Sequence, residues 1–225
     1  MTGADQESSQ LLRLTRIMHR LRAECPWDAE QTHHSLVKYL VEESAEVIDA
    51  IEGPNPAPGD DDSTVNDVDL VEELGDLLLQ VYFHAEIAAT QNRFDVEDVA
   101  RGISDKLVRR HPWVFADQAD PTDLEGTWEQ VKQAEKRRDS VLEGIPRSLP
   151  TLARAVKVTA RVRNTGLDLE LADEPIDAEQ AGCQLLELVQ RAHASGVDAD
   201  QALRAAVRDL EARARAAESS RPGNG

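Results

Sequence analysis

Six carboxylates stand in two short clusters: Glu42, Glu43 and Glu46 in "VEESAEVIDA" (41–50), and Glu72, Glu73 and Asp76 in "VEELGDLLLQ" (71–80). Like charges one turn apart destabilise a helix by about 0.2–0.5 kcal/mol per pair, yet both clusters lie in otherwise apolar helical patterns. At 100° per residue, Leu36, Val37, Leu40, Ser44, Val47, Ile48 and Ile51 share one face, with Glu43 at its margin. Leu70, Leu74, Leu77, Leu78, Val81 and Ala85 form the matching face of the second helix, where Glu73 and Asp76 repeat the angular positions of Glu43 and Glu46. Two antiparallel helices packed on these faces would gather Glu43, Glu46, Glu73 and Asp76 into one cluster. Oxygen ligands without His or Cys suit Mg²⁺ or Mn²⁺ rather than zinc, and a divalent ion would turn the repulsion into coordination. Gly75, a mid-helix glycine, predicts a close helix approach there. The competing readings are solvated acidic faces and a di-iron bundle. The latter wants two E-x-x-H pairs, and only Glu30–His33 has that spacing.

The elements that must hold these residues are all helical. Leu11–Arg22 has apolar spacing and ends before "CPWD"; a second helix is predicted over about Thr32–Glu52. "GPNPAPGDDDSTVND" follows as a Pro- and Gly-rich acidic loop. Helices are then predicted over Val68–Thr90, over Val96–Arg110 with Asp95 as N-cap and Pro112 as stop, and around Thr127–Ser140. "LEGIPRSLP" reads as a linker, and helical patterns resume at Thr151. No segment alternates like a strand. The fold class is all-α: a bundle domain over 1–145, a helical segment over 146–225, and a disordered tail over 217–225.

Composition sets the surroundings. Aromatics are 4% of the chain, and the Ala-, Leu-, Glu- and Arg-rich remainder favours helix. A formal net charge of −18 argues against nucleic acid as the main partner. No apolar run reaches the ~18 residues of a membrane span, and the N-terminus lacks the features of a signal peptide. Cys25 and Cys183 lie far apart, so a reducing, cytoplasmic setting is expected.

At the carboxylates the chain resembles the MazG nucleoside triphosphate pyrophosphohydrolases. "EESAE" and "ELGD" fit that family's E-E-x-x-E … E-x-x-D signature, and the likeness continues through "CPWDAEQTHHSLVKYLVEE", "GDLLLQVYFHAEIA", "RFDVEDVARGISDKLVRRHPWVFAD", "TWEQVKQAE" and "IPRSLPTLARAVKV". The resemblance implies a four-helix-type bundle, usually dimeric, that cleaves (d)NTPs between the α- and β-phosphates. It makes Glu43, Glu46, Glu73 and Asp76 the metal ligands. Glu42 and Glu72 become supporting carboxylates, and Glu42 orients or deprotonates the attacking water. Lys106, Arg109 and Arg110, spaced i, i+3, i+4, would hold the departing phosphates. Trp128 and Lys132 would meet base and phosphate, while Trp27, Asp28, Gln31 and His34 would line the base pocket. The implied partners are nucleoside triphosphates and a second copy of the chain, with no nucleic acid polymer and no membrane. The alternatives are a pyrimidine-specific dNTP hydrolase and a non-catalytic helical dimerisation module.

The C-terminal third reads as a decayed second copy, the alternative being an unrelated helical hairpin. "GCQLLELVQRAHASG" can be laid over "GDLLLQVYFHAEIAA", and "DADQALRAAVRDLEARAR" over "DVEDVARGISDKLVRR". In that register Gln180 replaces Glu73, Cys183 replaces Asp76 and Asp209 replaces Lys106. All chemistry is therefore expected in the first copy.

Overall fold

The computed structural model describes residues 9–53, 65–116 and 140–220. Among them every regular element is a helix: α1 Gln10–Glu24, α2 Pro26–Glu30, α3 Val37–Glu52, α4 Asp67–Ala89, α5 Val96–Arg110, α6 Pro112–Phe115, α7 Thr151–Asn164, α8 Ala178–Ala194 and α9 Ala199–Ser219. No described helix is long and apolar enough to cross a membrane. The chain divides into two compact units, the first holding α1–α6 and the second α7–α9.

The first unit is organised around α4. Asn66 caps its start, its side chain accepting from the Val68 N–H. Helices α1, α3 and α5 all pack against α4. Its C-terminal half supplies Tyr82, Phe83 and Ile87 to a core shared with Met18 of α1 and Leu36 at the start of α3. The Tyr82 hydroxyl donates to the Leu11 carbonyl at 3.3 Å, and His19 Nδ1 meets the buried Glu86 carboxylate at 2.9 Å. These contacts clamp α1 across α4. Helix α5 begins with a reciprocal capping box between Asp95 and Asp98, at the predicted position.

Three expectations change here. The helix predicted from Thr32 starts only at Val37, after a turn, and the stretch around "CPWD" forms a short helix, α2, opened by Pro26 at its first position. Second, Gly75 is exposed, and a Cβ built there would meet nothing within 4 Å, so among the described residues no neighbour approaches it closely. Third, α3 and α4 meet only in part on their apolar stripes. Val37 and Ile48 are each 52% exposed and Leu74 is 47% exposed, whereas Leu36, Ala85 and the polar Gln80 are buried and Glu43 and Glu73 are half-buried. Periodicity shows that an apolar stripe exists; it does not show which face the neighbouring helix takes.

The second unit builds its own core from Leu142, Ile145, Val158, Val162, Leu167, Val207 and Ala214. Residues 140–145, expected in the first domain, therefore belong to the second. Glu218 of α9 accepts from the Ser140 hydroxyl and the Val141 N–H, and Arg161 of α7 donates to the Val141 carbonyl. The buried Glu211 carboxylate takes Arg154 Nε at 2.9 Å and Arg215 at 3.5 Å, which compensates its charge. The last helix runs to Ser219, so the tail predicted from residue 217 begins inside α9. The helix predicted around Thr127–Ser140 lies almost wholly outside the described residues.

Candidate metal centre

Helices α3 and α4 run antiparallel at the carboxylates, since Glu43 neighbours Asp76 and Gln80 while Glu46 neighbours the earlier Glu73. Glu43, Glu73 and Asp76 each offer an oxygen, and these atoms all lie within 4.8 Å of one another. Opposite ligands on a magnesium ion stand about 4.2 Å apart, twice a bond of about 2.1 Å. Small side-chain rotations close the difference. The three oxygens thus fit a small, hard divalent cation, and nothing in the group suits a soft metal.

Glu46, expected as a fourth ligand, borders the group instead. It lies beside Glu43, and its charge acts on both Glu43 and Glu73. Burial, then Glu46, Asp76 and Glu42, hold Glu43 above the ordinary carboxylate range. Burial followed by Glu46, Glu72, Asp76 and Asp69 does the same for Glu73. Glu42 and Glu72 are exposed and contribute charge to the cluster's edge.

These shifts fix a sign. A carboxyl whose folded pKa exceeds its unfolded value holds its proton more tightly when folded, so its stabilisation is present at low pH and lost as pH rises. The metal-free chain is expected to lose melting temperature as pH climbs above about 4.5, the ordinary value for both groups. The loss should be smaller in Glu43→Gln and cancelled by saturating Mg²⁺. Thermal melts at several pH values, with and without the ion, check this. A wild-type profile as flat as that of Glu43→Gln would contradict it.

The remaining predicted residues are spread over the unit. On α5, Arg110 is buried and Lys106 half-buried, whereas Arg109 is exposed. Trp27 is 51% exposed and lies edge-on to Tyr39 and Phe83, each 6.1 Å away between centroids. Tyr39 is on α3 and Phe83 on α4, so this indole stands against the same helix pair as the carboxylates. His34 is exposed, and Asp28 is buried in α2. Gln31 caps the end of α2, its side chain donating to the Trp27 carbonyl. Trp128 and Lys132 lie outside the described residues.

Sequence reasoning missed a polar row on α4 made by Asp76, Gln80 and His84, spaced i, i+4, i+8. Gln80 donates from Nε2 to Glu43 Oε1 at 3.5 Å. His84 Nδ1 lies 2.8 Å from His33 Nδ1 with the ring planes within 7° of parallel, and Arg93 reaches His33 Nε2 at 2.5 Å. Arginine only donates, so His33 Nε2 accepts, its Nδ1–H donates to His84, and His84 keeps its proton on Nε2. Burial, then His33, hold the His84 pKa below its ordinary value. The i, i+4, i+8 repeat was visible in "DLLLQVYFH", but it also suits an ordinary solvated row.

Fold and site together define an all-α protein with a carboxylate cluster of the kind that binds a hard divalent cation. The family model for the MazG nucleotide pyrophosphohydrolase domain matches residues 31–115, which contain every cluster residue together with Lys106 and Arg110. An uncharacterised 26.1 kDa protein of Streptomyces cacaoi is 44% identical over 95% of this chain and 85% of its own length. The nucleoside triphosphate pyrophosphohydrolase of Escherichia coli K12 is 46% identical over 71% of this chain, which spans 60% of that protein's length. The nucleoside triphosphate pyrophosphohydrolase/pyrophosphatase MazG of Thermotoga maritima is 36% identical over 87% of this chain and 80% of its own. The chain belongs to the MazG family of nucleotide pyrophosphohydrolases, hydrolases of acid anhydrides.

Proposed function

We propose that this chain is a magnesium-dependent nucleoside triphosphate pyrophosphohydrolase. It would cleave (d)NTPs between the α- and β-phosphates to (d)NMP and pyrophosphate, clearing nucleotides from the cytoplasmic pool. The observation that carries this reading is the convergence of Glu43, Glu73 and Asp76 from two neighbouring helices, one oxygen of each lying within 4.8 Å of the others. Bringing like charges together inside a helix pair is unfavourable unless a cation joins them. Relatives named for this activity support the chemistry.

A divalent ion in this site supplies charge neutralisation at phosphate oxygens and a lowered pKa for water. Glu43, Glu73 and Asp76 hold it; Glu46 and Glu72 keep the surroundings anionic; Glu42, exposed at the edge, takes the proton of the attacking water. Lys106 and Arg110 on the inner side of α5 meet the charge that develops on departing pyrophosphate. The half-exposed Trp27 offers a stacking face to the base, with His34 nearby in sequence. On the family resemblance, Trp128 and Lys132 complete the nucleotide contacts. The exposed stripe of Val68, Val71 and Leu78 on α4, with Val41 and Ile48 on α3, suits a second copy, so the working form is a homodimer. The second unit is the decayed copy. Among the described residues it contains no group of three convergent metal-ligating side chains, and Cys183 is exposed.

Phosphorus NMR of the products from a panel of (d)NTPs with Mg²⁺ tests the reaction. A monophosphate with pyrophosphate is expected; a diphosphate with inorganic phosphate, or no turnover of any nucleotide, would refute it. Lys106→Ala should lower triphosphate turnover by about 100-fold while weakening monophosphate binding much less. Equal losses for both would remove Lys106 from the phosphate end.

A further inference from the structure

We propose that Gln80 is a positioning residue for the carboxylate cluster: its side-chain amide holds Glu43 turned toward Glu73 and Asp76. The inference rests on the metal-site reading above and extends it to a residue outside the carboxylate signature.

Gln80 follows Asp76 by one helical turn, so both project from the same side of α4 toward α3. The side chain is 5% exposed, and its Nε2 donates across the helix pair to Glu43 Oε1 at 3.5 Å. The other end of the same amide is orphaned, since Oε1 is buried without a hydrogen-bond partner. Reversing the amide would bring an acceptor against the Glu43 carboxylate, so electrostatics fix the N–H edge toward Glu43. A buried, unmade acceptor is unfavourable, and a methionine of similar length would fill the space without it. What the amide adds is a donor to one carboxylate of a converging trio.

Its neutrality also matters. A carboxylate at position 80 would add a further negative charge to the cluster, and a lysine or arginine would compete with the cation for Glu43. A neutral donor orients the ligand without either effect. Groups that orient ligating carboxylates typically change metal affinity by 10–100-fold when removed.

Calorimetric titration of Mn²⁺ into the metal-free full-length chain separates the outcomes. Gln80→Met is expected to weaken Mn²⁺ binding by about 10-fold or more while leaving the metal-free melting temperature unchanged or raised. In a Glu43→Gln background the same substitution should cause no further loss, because the amide acts through Glu43. Should Gln80→Met fail to fold, Gln80→Asn, which keeps the amide but withdraws it by one methylene, is expected to show the same weakening. Wild-type Mn²⁺ affinity in the folded variant, or an undiminished loss in the Glu43→Gln background, would overturn the role of Gln80 alone. A wild-type chain that binds no Mn²⁺ would overturn the metal reading and this proposal together.

Discussion

Glu73→Gln is expected to lower nucleoside triphosphate turnover by at least about 100-fold in the full-length chain, since a ligand should matter more than the outer groups that cost 10–100-fold. Folding should not suffer. Glu73 sits among Glu46, Glu72, Asp76 and Asp69, all of which disfavour its charge. Its neutral isostere therefore relieves repulsion in the metal-free protein, and the metal-free melting temperature should hold or rise. Asp76→Asn should behave alike. Steady-state kinetics beside thermal melts make the comparison. A sharp fall in metal-free stability with both substitutions would assign these carboxylates a structural role. Substantial residual turnover in Glu73→Gln would instead locate chemistry elsewhere, with Gln180 and Cys183 of α8 the first place to look.

Chelation should act just as strongly. Exhaustive EDTA treatment is expected to abolish turnover, and Mg²⁺ or Mn²⁺ to restore it. Three oxygens within 4.8 Å can share an ion, but without one they can neither bridge to a phosphate nor hold a nucleophile. The stability response should run in parallel. An ion that binds only the folded state raises stability with its concentration, and this gain should be largest where Glu43 and Glu73 are ionised. Turnover that survives chelation would remove the metal from the account.

The carboxylates were legible in the sequence because chemistry-bearing residue types recur at fixed helical spacing. Glu43, Glu73 and Asp76 could be grouped before any coordinates, and Val96–Arg110 could be bounded because Asp95 and Pro112 punctuate it. Less visible was what each face meets. The stripe containing Val37, Ile48 and Ile51 reads as core, yet these residues are about half exposed. Periodicity does not say whether the cover comes from this chain or another. Leu142 and Ile145 were hidden in a Pro-rich stretch whose role as core depends on Glu218 and Arg161, far along the chain. Gln80 was silent for a similar reason. Between Asp76 and His84 a glutamine looks like an ordinary polar residue, and only the approach of Glu43 from α3 gives its amide a partner.

The most direct measurement is the anomalous diffraction of crystals grown with Mn²⁺. A single strong peak is expected between α3 and α4, about 2.1 Å from oxygens of Glu43, Glu73 and Asp76. A peak bound to other residues, or none between these helices at saturating Mn²⁺, would contradict the account.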